Sequence, residues 1–196
     1  CCFHDIFLSV FTEDSMQKIQ FILGILATAS SSATLAYDGT INFNGKVVDQ
    51  TCSVTTAGTA PLAVTLPTVS TKSLNSPGKV AGLTPFTISL SGCNTAAATG
   101  SQSVKAYFEP NANTDYTTGN LTNTTSSGAS NVQIQLLNAD GVKVIKLGQA
   151  AAAQNVDTVA INDANVTLRY NAQYYATGVA TAGDVTSTVN YTIAYQ

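Results

Sequence analysis

The chain has 196 residues, of which 10% are charged, with a formal net charge of −3, a single Met and no Trp. That length suits one domain, or one domain with an export segment. The slight negative charge and the lack of any basic cluster exclude an electrostatic nucleic-acid surface. Abundant Thr, Ser, Ala, Asn and Val, with few long charged residues, favour strands over helices.

Residues 1–15 precede Met16, show no periodic pattern and are expected to be an unstructured leader translated from before the true start. Cys1, Cys2 and His4 match no zinc-ligand spacing, so no metal site is expected there. Residues 16–36 read as a signal peptide: Lys18, an apolar run from Ile19 to Ala27, then small residues from Thr28 to Ala36. The run falls short of the ~20 residues a membrane-spanning helix needs, so stable membrane insertion is not expected. Cleavage after Ala33 or Ala36 would start the exported chain between Thr34 and Tyr37.

From Tyr37 onward the apolar period is two, the mark of strands. Ile41 and Phe43 alternate with Asn42 and Asn44, and Val47-Val48 leads to Cys52 and Val54. Then come Leu62 to Leu66, Phe86 to Leu90 before Cys93, Val104 to Phe108, and Val132 to Leu136. Asp140-Gly141 signals a hairpin turn into Val142–Ile145. Val166 to Tyr174 forms a long strand and Val185 to Tyr195 the last. Residues 124–131, rich in Ser, Thr and Gly, read as an exposed loop, and Ala150–Gln154 as a helical turn. Short strands separated by turns at such intervals suggest a single β-sandwich domain. Cys52 and Cys93, each in a strand-like segment of an exported chain, read as one disulfide, the alternative being two buried free thiols.

No catalytic constellation emerges. The only His is His4, in the leader, which removes Ser-His and Cys-His chemistry from the domain. Asp115, Asp140, Asp157, Asp163 and Asp184 lie in or beside turns, where Asp caps main-chain groups. No Gly-rich phosphate loop joins a strand to a helix, and no cofactor is expected. Tyr170, Tyr174, Tyr191 and Tyr195 follow strand alternation; Tyr107 and Tyr116 are the candidates for a sugar platform. What remains is binding or building.

Two terminal segments narrow the choice. Tyr37-Asp38-Gly39-Thr40-Ile41-Asn42-Phe43-Asn44-Gly45 is an alternating strand with glycine in the apolar register. At the other end Val189, Tyr191, Ile193 and the penultimate Tyr195 alternate, and Gly183 is the fourteenth residue counted back from Gln196. With the Cys52–Cys93 pair, Gln133-Ile134-Gln135-Leu136 before Asp140-Gly141, and Tyr174-Tyr175-Ala176-Thr177-Gly178, the chain resembles the chaperone–usher pilins, type 1-like major subunits in particular, over residues 37–196.

That resemblance implies an all-β fold: an incomplete immunoglobulin-like β-sandwich completed by a donor strand from a neighbouring subunit, a known form of β-strand addition. It assigns residues 37–45 as the donor-strand extension, with Tyr37, Gly39, Ile41 and Phe43 facing the neighbour's groove, and 46–196 as the pilin domain. It assigns Gly183, Val189, Tyr191, Ile193 and Tyr195 to a C-terminal strand recognised by the periplasmic chaperone and by the donor. The implied partners are identical or homologous pilins, the chaperone and an outer-membrane usher; the implied location is a surface fimbria supporting adhesion. The competing readings are a minor or adaptor pilin, a tip adhesin, and a secreted carbohydrate-binding sandwich.

The export reading is checked by N-terminal sequencing of the surface protein. The first residue is expected between Thr34 and Tyr37, and a surface form that retains Met16 contradicts it.

Overall fold

Alternation of side chains between two faces organises the chain from Cys52 onward. The computed structural model describes residues 41–45, 47, 52–56, 61–96 and 103–196. The expected leader and signal peptide, together with Tyr37 and Gly39, lie outside these residues. Residues 45–196 belong to one compact unit, and 41–44 to another.

The strands of the main unit are β1 (Ser53–Val54), β2 (Val80–Ser91), β3 (Ser103–Glu109), β4 (Thr114–Asp115), β5 (Asn120–Thr122), β6 (Val132–Asn138), β7 (Val159–Ala160), β8 (Val166–Ala176) and β9 (Asn190–Tyr195). One sheet runs β1-β2-β8-β6-β5-β4, the other β7-β3-β9, and all the pairings are antiparallel. β2 and β8 pair along most of their length, from Val80 opposite Tyr175 to Leu90 opposite Val166. This places Phe86, Ile88 and Leu90 beside Tyr170, Leu168 and Val166, on the face that meets the second sheet.

The core between the sheets is apolar and closely packed. Ile88, Val104, Ala106, Ile145 and Leu168 are fully buried, and Phe108 meets Tyr170 edge-on with ring centroids 5.3 Å apart. Burying each large apolar side chain stabilises by about 1.5–3 kcal/mol. Tyr170 also ties the sheets together, because its hydroxyl accepts a hydrogen bond from the Ala106 amide at 3.0 Å. Beyond the short β7, the same edge of β3 is finished by the buried side chain of Gln154, which accepts from Phe108 N at 3.2 Å and donates to Phe108 O at 2.6 Å. A side-chain amide thus takes the place of a strand.

Cys52 and Cys93 are disulfide-bonded, with Cα atoms 4.1 Å apart. They flank the β1–β2 pair, where Ser53 lies opposite Ser91. Closing a loop with a sequence separation of 41 residues stabilises the fold by about 4 kcal/mol in the chain-entropy account.

Three expected elements take a different form. Leu62 to Leu66 alternates half-buried with exposed residues, yet among the described residues it pairs with no strand. Residues 185–189 do the same, so the last ladder begins only at Asn190. At Asp140-Gly141 the chain turns as expected, but the returning run contributes a single bridge, Val144 to Leu137. The Asp140 carboxylate accepts from Val142 N and Lys143 N, which lowers its pKa. Asp115 likewise accepts from Thr117 N and Thr118 N, as expected of turn aspartates. The helical turn at Ala150–Gln154 forms, with Ala153 N donating to Ala150 O.

Burial pushes the Tyr170 hydroxyl up to about 12. An unfolded tyrosine ionises near about 10, so the stability gained by keeping Tyr170 neutral is complete below that pH. It is lost as the pH rises through about 12. In alkaline titrations followed by circular dichroism, Tyr170→Phe should flatten the stability loss between these limits. The same change should lower stability at neutral pH by about 1–3 kcal/mol, because the Ala106 amide loses its acceptor.

Candidate functional site

Where the two sheets should close over the core, they do not. A groove of about 960 Å3 opens between the 61–66 segment and the chain from Val185 to Tyr191. Its floor includes Phe86 on β2 and Ile134 on β6, interior strands whose core-facing side chains stay half-buried for want of a cover. A second cavity of about 780 Å3 shares Leu66, Val185 and Thr186 with the first and extends the groove toward Leu74 and Ala180.

Both rims carry main-chain groups that have no partner among the described residues. On one rim Leu62, Val64 and Leu66 turn toward the groove, with Ala63 and Thr65 exposed between them. Among the described residues no main-chain hydrogen bond joins 61–69 to another segment. On the other rim Asp184 O accepts from Ala129 N at 3.0 Å and Thr186 O from Thr124 N at 2.8 Å. Thr188 O accepts from the side-chain amides of Asn111 at 3.0 Å and Asn113 at 3.3 Å. Alternate residues of an extended chain point their main-chain groups to opposite edges. Those of Val185, Ser187 and Val189 therefore face the other edge, where none has a partner among the described residues. The Ser187 hydroxyl, on the groove wall, is also buried and unbonded among them.

The sequence-derived site residues separate into groups. Val189 and Tyr191 line the groove, and Gly183 lines its extension. Ile193 and Tyr195 pack instead on the subunit's own core, Ile193 opposite Ala106 and Tyr195 opposite Val104 in the β3–β9 ladder. Burial raises the Tyr195 pKa, as it does that of Tyr174 on the groove extension. Ile41 and Phe43, in the other unit, are exposed, at 77% and 90%. Tyr116 is exposed and Tyr107 half-buried.

Gly183 has a local reason to be glycine. A Cβ there would stand 2.7 Å from the carbonyl carbon of Gly128 and against the Ala129 amide, at φ 154°. The loop and the rim approach backbone to backbone, and the sequence signalled this only through the glycines themselves. Sequence reasoning missed Ser187 and the asparagines that bond the outer rim, because Asn within turn-rich stretches looks like ordinary loop composition.

The geometry defines a β-sandwich subunit that is open along one side to strand addition. The chain matches the family described as "FimA: Type-1 fimbrial protein, A" over residues 66–196. It is 86% identical to the F17 fimbrial protein of Escherichia coli, across 92% of this chain and all of that one. It is 47% identical to the major fimbrial subunit SMF-1 of Stenotrophomonas maltophilia, over 87% of this chain and 99% of the other. The fold is also that of a chain in a solved chaperone–usher pilus, with a TM-score of 0.58 at 21% identity, covering 82% of this chain and 96% of that one.

The chain belongs to the type-1 fimbrial protein family. It is a structural, non-enzymatic subunit of a cell-surface fimbria, and membership implies assembly with other subunits.

Gly183→Ala should lower subunit stability by about 1–3 kcal/mol in denaturant melts, as overpacking against backbone does. Gly45→Ala, with nothing within 4 Å of the added carbon, should change it by less than about 0.5 kcal/mol.

Proposed function

We propose that the groove accepts the N-terminal segment 37–45 of a neighbouring copy, and that repetition of this exchange builds the fimbria. The observation that carries this reading is the pairing of two unbonded main-chain rims with an apolar floor. A strand satisfies both at once, because main-chain hydrogen bonds run along its edges while alternate side chains enter the groove. The chain carries a matching segment, since Ile41 and Phe43 are exposed apolar residues two apart with polar Asn42 between them. Ile41 and Phe43 would each contribute about 1.5–3 kcal/mol on burial, before ordering costs.

Tyr37 and Gly39 extend the same face of the segment by the same alternation. The groove must be shielded before assembly. A strand of the periplasmic chaperone fills it first, an outer-membrane usher takes the subunit over, and the donor of the next subunit then replaces the chaperone strand. Val189 and Tyr191 then serve chaperone and donor in turn through the groove, while Ile193 and Tyr195 hold the strand that forms its wall. One relative's designation as a major fimbrial subunit, at 47% identity, favours the major over the minor role.

The test is thermal melting of a subunit lacking residues 37–45, with and without synthetic peptides. The native peptide should raise the melting temperature, since a ligand that binds only the folded state stabilises it. Phe43→Asp in the peptide should abolish the effect through an unpaired buried charge, and Asn42→Asp, on the other face, should leave it nearly intact. A truncated subunit that melts identically with and without the native peptide rules out the donor assignment.

A further inference from the structure

The outer rim of the groove, 184–188, is held in place by side chains of the neighbouring loops. Asn123, half-buried at the end of β5, spends all of its hydrogen-bonding capacity on this task. Its Nδ2 donates to Ala129 O and to Asp184 O, both at 2.9 Å. Its Oδ1 accepts from Thr125 N at 3.1 Å and from Thr186 N at 3.0 Å. One amide therefore closes the 124–129 loop on itself and fastens that loop to two alternate residues of the rim. Farther along, Asn111 and Asn113 both donate to Thr188 O.

We propose that Asn123, assisted by Asn111 and Asn113, is a positioning clamp that keeps residues 184–188 extended while the groove is empty, so that an entering strand meets a preformed edge. The inference rests on the strand-acceptor reading and adds to it the residues that prepare the acceptor. The bonds are all on Asp184, Thr186 and Thr188, the residues whose main-chain groups turn away from the groove. The main-chain groups of Val185, Ser187 and Val189 have no partner among the described residues and face the incomer. Without the clamp, 184–188 would keep the main-chain bonds from Thr124 and Ala129 and the hydroxyl bonds of Thr124 and Thr125 to Thr186, but Asp184 and Thr188 would lose every side-chain tie, and ordering the rim would be charged against strand binding. The close approach at Gly128 and Gly183 serves the same end, since a side chain at either would push loop and rim apart.

Asn138 supplies a matched control. It is a more deeply buried amide with three main-chain bonds, to Lys143 O, Asn155 O and Asp157 N, and none of these partners belongs to the rim. The experiment titrates a labelled peptide of residues 37–45 into the exported full-length subunit, its Asn123→Ala variant and its Asn138→Ala variant, with a denaturant melt of each. The native subunit should bind. Asn123→Ala should weaken binding about tenfold, whereas Asn138→Ala should lower stability at least as much and leave affinity within about twofold. Unchanged affinity in Asn123→Ala, or equal weakening in both variants, overturns the clamp while leaving the acceptor reading intact. Failure of the native subunit to bind removes the acceptor reading and the clamp with it. Should Asn123→Ala not fold, hydrogen exchange on the empty native subunit decides: the Thr124, Ala129 and Thr186 amides should be protected, and exchange at unprotected rates overturns the proposal.

Discussion

An unroofed hydrophobic core bordered by main-chain edges is the constraint on which the rest of this subunit depends. Phe86 and Ile134 lie on interior strands, and in a completed sandwich such positions would be buried. Beside them run two rims with amides and carbonyls that are unpaired among the described residues. Apolar burial alone is not directional, and could be met by a helix or a small ligand. Rows of donors and acceptors at strand spacing cannot. Only an extended chain satisfies both, which turns a general stickiness into a demand for one shape of partner.

The edge of β3 away from β9, by contrast, is finished within the chain. β7 covers the start of β3, and Tyr170 and Gln154 complete that edge with side-chain hydrogen bonds. The disulfide fastens the β1–β2 end. A subunit whose acceptor groove and donor segment are different parts of the chain makes a head-to-tail contact. Unless its rotation happens to close a ring, such a contact propagates into a filament. The geometry proposed for one interface thus accounts for a fibre without a second kind of contact being invoked.

Much of the fold was legible because strand alternation is a property of the sequence itself. The runs that became β2, β3, β6 and β8, the Cys52–Cys93 bond and the Asp140-Gly141 turn could all be read from spacing and residue type. The groove could not be read from alternation, and only the family resemblance implied it. Residues 62–66 and 185–189 carry the same alternating pattern as paired strands, and nothing in a pattern tells whether a strand has a neighbour. The C-terminal run illustrates the limit: all four of Val189, Tyr191, Ile193 and Tyr195 share one register and pack against the core, yet only Val189 and Tyr191 line the opening. Asn123 was invisible for a related reason. Its role comes from two segments 61 residues apart in sequence that meet at Gly128 and Gly183.

The manner in which the rim is held bears on why the empty subunit does not complete itself. If 185–189 swung across to pair with 61–69, the main-chain groups would be satisfied, the floor would be covered and no site would remain for a neighbour. The amides of Asn111, Asn113 and Asn123 oppose this by engaging the side of the rim that faces away from the groove. They do so with a few side-chain hydrogen bonds, each worth about 0.5–1.5 kcal/mol net, and without a full strand ladder. Such a clamp outweighs the fraying of one short segment yet leaves the groove's larger apolar deficit untouched. In the proposed exchange that deficit drives assembly, so a subunit better stabilised in isolation would be a poorer building block. Its stability belongs to the occupied state and rises with whatever strand fills the groove.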